Sequence, residues 1–225
     1  MFLRRYGTGV LLDAKAGGRR RRTQEERSAE TRTRLLDAAI ECLLALGYAG
    51  TTTTEVAARA KVSRGAQLHH YPTKQELVTA AVEHLFDRRV KEFRAAFASL
   101  PPTADRATKA IDLLWEIFTG DTFYAVLELV VAARTNPDLR AQMTEIERRF
   151  LERVRETFFD LFPAPAERGP HFDLAPHFVM ALMEGLALNR ILDPDHGKRK
   201  AIVDLLKALS PLLEERTVDF SGPKR

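Results

Sequence analysis

Apolar residues recur at helical spacing along almost the whole chain, and each run is closed by a cap or a breaker. Leu35, Leu36, Ala39, Ile40, Leu43 and Leu44 form one stripe, which predicts a helix over about 23–46 with Gly47 as its C-cap. A short helix follows. Thr52 and Glu55 have the S/T-x-x-E spacing of a capping box, in which side chains satisfy the free amides of a helix start. Val56, Ala57 and Ala60 give this helix an inner face small enough for a second helix to cross closely. Lys61-Val62 makes a tight turn and Ser63 caps the second helix. Tyr71-Pro72 ends it, because the residue before proline is pushed out of the helical region. Thr73 and Glu76 repeat the box and open a long helix through Leu77, Val78, Ala81, Leu85, Phe86, Val90, Phe93 and Phe97, stopped by Pro101-Pro102.

The rest reads in the same way. Helices are predicted over about 104–118 and 122–134, separated by Gly120-Asp121. Asn136 caps the next, with Pro137 at the first helical position, and it reaches about 162. Residues 163–170 form a linker. Asp173 is expected to cap a helix with Pro176 in its first turn, running to about 192, and a last helix lies near 198–209. No useful strand alternation occurs, so the fold class is all-α. The expected organisation is a three-helix helix-turn-helix domain at 24–72 and a larger helical domain at 73–213. Tails at 1–23 and 214–225 are expected to be disordered on their own.

Charge distribution changes the picture more than composition does. The hydrophobic fraction of 45% and charged fraction of 29% are ordinary for a globular chain, and the formal charge is only +4. However, Arg19 to Arg22 is a run of four arginines, joined by Arg4, Arg5, Lys15, Arg27, Arg32 and Arg34. Basic charge clustered beside a helix-turn-helix attracts phosphate. No segment approaches the roughly 20 apolar residues that cross a bilayer. The single cysteine, Cys42, excludes an intrachain disulfide, lies in an apolar stripe and fits a reducing cytoplasm.

The stretch VSRGAQLHHYPTKQELV, and with it residues 26–78, resembles the TetR family of transcriptional regulators, more loosely as far as about residue 213. The resemblance implies that the second helix of the pair enters the DNA major groove with its first turn against the bases. Arg64, Gly65 and Ala66 are then the base-reading positions, and Gln67 can also reach a base. Arginine can grip guanine O6 and N7 with two bonds; Gly65 and Ala66 allow close approach. His70, Tyr71 and Lys74 match the family's phosphate-contact positions, and Thr52 and Thr53 can add hydroxyls and amides. The family often has an apolar residue where Gln67 stands and an aromatic where Leu68 stands. Here Leu68 is expected in the core and Gln67 exposed.

The resemblance further implies a homodimer formed through the helices at 137–162 and 173–192, a palindromic operator in double-stranded DNA and an apolar pocket for a small-molecule effector. Trp115, Phe118, Phe123, Tyr124, Leu127, Glu128, Phe178 and Met183 sit on the helices that line the family's cavity; Glu128 or Arg134 could supply a polar anchor. Repression is the family's usual mode. No cofactor is implied, and neighbouring histidines at His69-His70 diverge on a helix and do not make a metal pair. No glycine-rich phosphate loop, HExxH or nucleophile elbow points to an enzyme. The alternative is an architectural or protein-interaction DNA-binding module without an effector, which a filled core would favour and an apolar cavity open to solvent would argue against.

Overall fold

In the computed structural model, residues 23–101, 105–162, 172–192 and 196–214 are described. The arginine run, the 163–170 linker and the C-terminal tail lie outside them. The described residues contain helices and no strand: α1 (Gln24–Gly50), α2 (Thr53–Ala60), α3 (Arg64–His70), α4 (Lys74–Ala98), α5 (Arg106–Thr119), α6 (Thr122–Ala133), α7 (Pro137–Leu161), α8 (Ala175–Asn189) and α9 (His196–Glu214).

Local chemistry sets the boundaries. Thr23 and Glu26 form a complete capping box at the start of α1. Thr52, Ser63, Thr73, Asp105 and Asn136 each accept an amide from the first turn of the helix they open. α1 does not simply stop at residue 46. Gly47 takes φ 65°, ψ 179°, and a further helical segment follows it to Gly50, so the glycine is a kink inside the element. Asp173 is not a cap. A 3-10 turn at Phe172–Leu174 leads directly into α8, whose N-cap residue Leu174 offers no side-chain acceptor. α9 starts and ends beyond its expected limits.

The core runs through both halves. Leu35, Ala39 and Cys42 of α1 pack with Val56 and Ala60 of α2 and with Leu77, Ala81 and Leu85 of α4. On the next faces, Leu43 of α1 joins Val78, Val82 and Phe86 of α4, Ala125 and Leu129 of α6, and Leu139, Met143 and Ile146 of α7. α4 therefore belongs to the core of the helix-turn-helix and to that of the larger domain. At 25 residues it spans roughly 37 Å. Its remainder is laced to α7 by Glu83–Arg149 at 2.9 Å, Asp87–Arg153 at 2.8 Å and Arg94–Asp160 at 2.9 Å, with Phe86 stacked on Phe150. A third cluster unites α5, α8 and α9 around Ile111, Met180, Met183, Leu186, Val203 and Leu206.

Candidate nucleic-acid interface and effector cavity

α3 is seven residues long and presents one face to solvent. Arg64, Gly65, Leu68 and His69 are exposed, the i, i+4 pairs Arg64–Leu68 and Gly65–His69 lying side by side on that face. Ala66 is half-buried. The expected orientation of Gln67 and Leu68 is reversed: Gln67 is 0% exposed and Leu68 41%. The cause is the proline that ends the helix. With Pro72 next, the Tyr71 carbonyl has no helical donor, and the Gln67 Nε2 donates to it at 2.6 Å. Leucine could not do this, so the amide turns inward. Gln67 is thus buried, while Leu68 and His69 stand on the exposed face of α3. Spacing alone did not reveal this, because in so short a helix either neighbour could face the core.

Arg64 stands exposed with its Nη1 donating to Thr54 Oγ1 at 2.5 Å, a bond that aims the guanidinium along the α2–α3 pair. A methyl added to Gly65 would meet nothing within 4 Å, so the glycine is not required by the free protein's own packing. Thr52 spends its hydroxyl on the Glu55 amide, and Thr53 is half-buried beside it at the start of α2. Around the other end of α3, burial, followed by His69 and Arg32, pushes His70 below the ordinary histidine range; burial raises Tyr71. Arg32 is exposed close to both. Arg34, by contrast, is exposed but committed to the fold, donating through Nη2 to the carbonyls of Ala60 and Lys61 at the end of α2. This closes the turn where Lys61 adopts the left-handed conformation, φ 54°.

Lys74 departs most from the expected phosphate contacts. Its Nζ donates to the Tyr48 carbonyl at 2.5 Å and lies 4.2 Å above the Tyr48 ring, and burial lowers its pKa. It ties the start of α4 to the end of α1.

Residues of α4 to α9 line a partly open cavity of about 900 Å³, at the large end for small-molecule sites. Its wall is mostly apolar and rich in phenylalanine: Phe86, Phe93, Phe118, Phe123, Phe150, Phe158, Phe162 and Phe172. Of the expected lining residues, Phe118, Phe123 and Leu127 reach it, as does Arg134. Trp115, Tyr124, Glu128, Phe178 and Met183 do not. Helical geometry explains each. On α6 the cavity takes Phe123, Val126, Leu127 and Val130, which turns Tyr124 and Glu128 elsewhere. Glu128 instead accepts the Tyr48 backbone N–H at 2.9 Å. Met183 is wholly buried between α5, α8 and α9, against which Trp115 also packs. Phe178 is exposed.

Charge in the cavity wall comes from Arg89, Arg134, Arg140, Glu147 and Glu184. Arg89 is pinned by Glu92 and Thr122 at 2.7 Å each, with its Nε buried and unbonded. Burial raises the Glu147 carboxyl, with the neighbouring Glu184 adding to the shift.

The two helices expected to pair subunits, α7 and α8, differ in what they expose. The outer face of α7 is polar and internally paired, with Arg148 bridging Glu145 and Glu152. Exposed large apolar residues gather instead on α8 and α9 and the turn between them: Phe178, Leu188, Ile191, Leu192, Ile202, Leu205 and Leu209. Among the described residues no helix is long and apolar enough to cross a membrane.

Residues 35–81 match the model of bacterial regulatory proteins of the tetR family, and residues 104–210 match that of the C-terminal part of BetI-type transcriptional repressors. The HTH-type transcriptional regulator CymR of Pseudomonas putida is 44% identical over 121 residues, 54% of this chain and 60% of its own length. Among solved structures, the multidrug binding protein EbrR in complex with ethidium shares 27% identity, with a TM-score of 0.57 over 80% of this chain and 98% of its own. A Rhodococcus transcriptional regulator at 23% identity, with a TM-score of 0.58 over 81% and 95%, supports the fold.

Proposed function

From the premise that this chain belongs to the TetR family of transcriptional regulators, and is not an enzyme, we propose that it is a repressor working in the cytoplasm. It binds a palindromic operator as a homodimer and leaves it when a small apolar or aromatic effector fills the larger domain. The carrying observation is the pairing of an exposed reading face on α3 with a cavity of about 900 Å³ that shares α4 with it. Arg64, Gly65, Leu68 and His69 face base edges, with Ala66 behind them. Thr52, Thr53, His70, Tyr71 and Arg32 surround them as phosphate contacts, which position without specifying.

Dimerisation is assigned to α8 and α9, because burying their apolar residues in a two-fold bundle removes a surface that monomers rarely leave open. Two reading heads then meet half-sites about 34–36 Å apart. The effector reading is supported by EbrR, whose structure holds the flat aromatic ethidium. An architectural protein without an effector would have a filled core; the cavity speaks against it.

The test is a thermal-shift screen of small apolar compounds, followed by competition against DNA retained by the purified protein. Compounds that raise the melting temperature should release the DNA. A set of tight binders that leaves DNA retention unchanged would remove the effector from the account, since binding without a preference between states shifts nothing.

A further inference from the structure

A ligand in the cavity can affect α3 only through something that touches both, and the geometry around Tyr48 supplies it. Gly47 turns the chain with a positive φ, which lifts the Tyr48 amide out of the α1 ladder. Glu128 of α6 accepts that amide at 2.9 Å. The approach is close: a Cβ at residue 47 would lie 2.9 Å from Glu128 Oε2. Glycine therefore serves both the backbone angle and the space. On the other side of the same residue, the Tyr48 carbonyl takes the Lys74 ammonium at 2.5 Å, at the first residue of α4 and just after the short connection that follows α3. Tyr48 is gripped at once by α6, whose other face lines the cavity, and by the first residue of α4. The two residues before Glu128, Val126 and Leu127, line the cavity.

We propose that Glu128 is a positioning residue for DNA reading: it fixes the α1–α2 corner to α6, and displacement of α6 by an effector releases that corner. This rests on the regulator reading above for its consequence on DNA, but the clamp itself does not depend on DNA. The rotation of α6 that pushes Leu127 out of the cavity carries the next residue with it, so a ligand acts on Glu128 through one helical element. Released, Tyr48 holds Lys74 alone, and the α3–α4 junction loses its tie to α6. The bond is solvent-exposed, so the effect is graded and not all-or-none.

The experiment uses the full chain in four forms: wild type, Glu128→Ala, Glu128→Gln and Leu127→Trp, the last a wedge standing in for a ligand. Amide exchange at residues 47–51 and affinity for DNA selected by the wild type are the readouts. Glu128→Ala should speed exchange of the Tyr48 amide roughly threefold to tenfold, as for loss of one exposed bond to a charged acceptor, and weaken DNA binding. Glu128→Gln, which keeps an acceptor, should restore most of both. Leu127→Trp should reproduce the alanine effect in wild type and add little in the Glu128→Ala background. If the tryptophan does not fold, Val130→Trp at the more exposed edge of the same wall serves in its place. Unchanged exchange in Glu128→Ala overturns the clamp, and a wedge acting equally in both backgrounds overturns its part in transmission. A wild type that selects no DNA would sink the regulator reading, and the exchange measurements would still decide the clamp.

Discussion

Arg64 and Gly65 are adjacent in the first turn of α3, and the proposed function gives them opposite parts in DNA binding. The arginine brings donors. Arg64→Ala should lose roughly 1–3 kcal/mol of operator affinity and relax base preference at one position, as read by binding to a set of single-base operator variants. Equal loss on every sequence would make Arg64 a phosphate contact. The glycine provides absence. Because nothing lies within 4 Å of an added Cβ, Gly65→Ala should leave the free protein as stable or better by roughly 0.5 kcal/mol while weakening DNA binding. A destabilised variant would contradict the assignment. Gln67 and Leu68 separate just as sharply. Gln67→Ala should cost about 1–2 kcal/mol in thermal unfolding, since the part-buried Tyr71 carbonyl loses its donor. Leu68→Ala should leave unfolding nearly unchanged and alter base preference.

At the scale of elements, caps and breakers made nearly every helix legible, because a hydroxyl three residues before a free amide is a local device that tertiary packing rarely overrides. What could not be read was phase. α6 is apolar on almost every side, TFYAVLELVVAA, so periodicity does not say which face meets a cavity and which meets α1; Tyr124 and Glu128 were misplaced for that reason. α7 hid a different feature. Its dense charge masks one carboxylate, Glu147, that is half-buried at the cavity. Burial and Glu184 hold its pKa above the ordinary range in the fold, so the folded state binds the proton more readily than the unfolded one. Stability from this group is complete below the ordinary glutamate pKa of about 4.3 and is lost as pH rises through the raised value. Glu147→Gln should therefore raise the melting temperature near pH 7 and make little difference near pH 4. An equal gain at both would mean that ionisation is not the cause.

The molecule as a whole joins the helix-turn-helix to a cavity through α4 and through the Glu128–Tyr48 contact, and among the described residues it exposes an apolar face on α8 and α9. That face was legible only as small and apolar residues in the last third of the chain. The proposed preference for α8 and α9 over α7 rests on charges of α7 that pair with α4 or with one another, which the sequence does not show. Leu205→Glu, on the exposed side of α9, should give a folded monomer by light scattering with operator affinity largely lost; a dimer that persists would move the interface elsewhere. The measurement that reaches furthest is retention of a genomic fragment library by the purified protein, with and without about 0.2 M added salt, followed by sequencing. One palindrome, with half-sites a helical turn apart and enriched at both salt levels, is the predicted result. Salt-sensitive retention with no common sequence would contradict it and leave a protein that coats DNA without reading it.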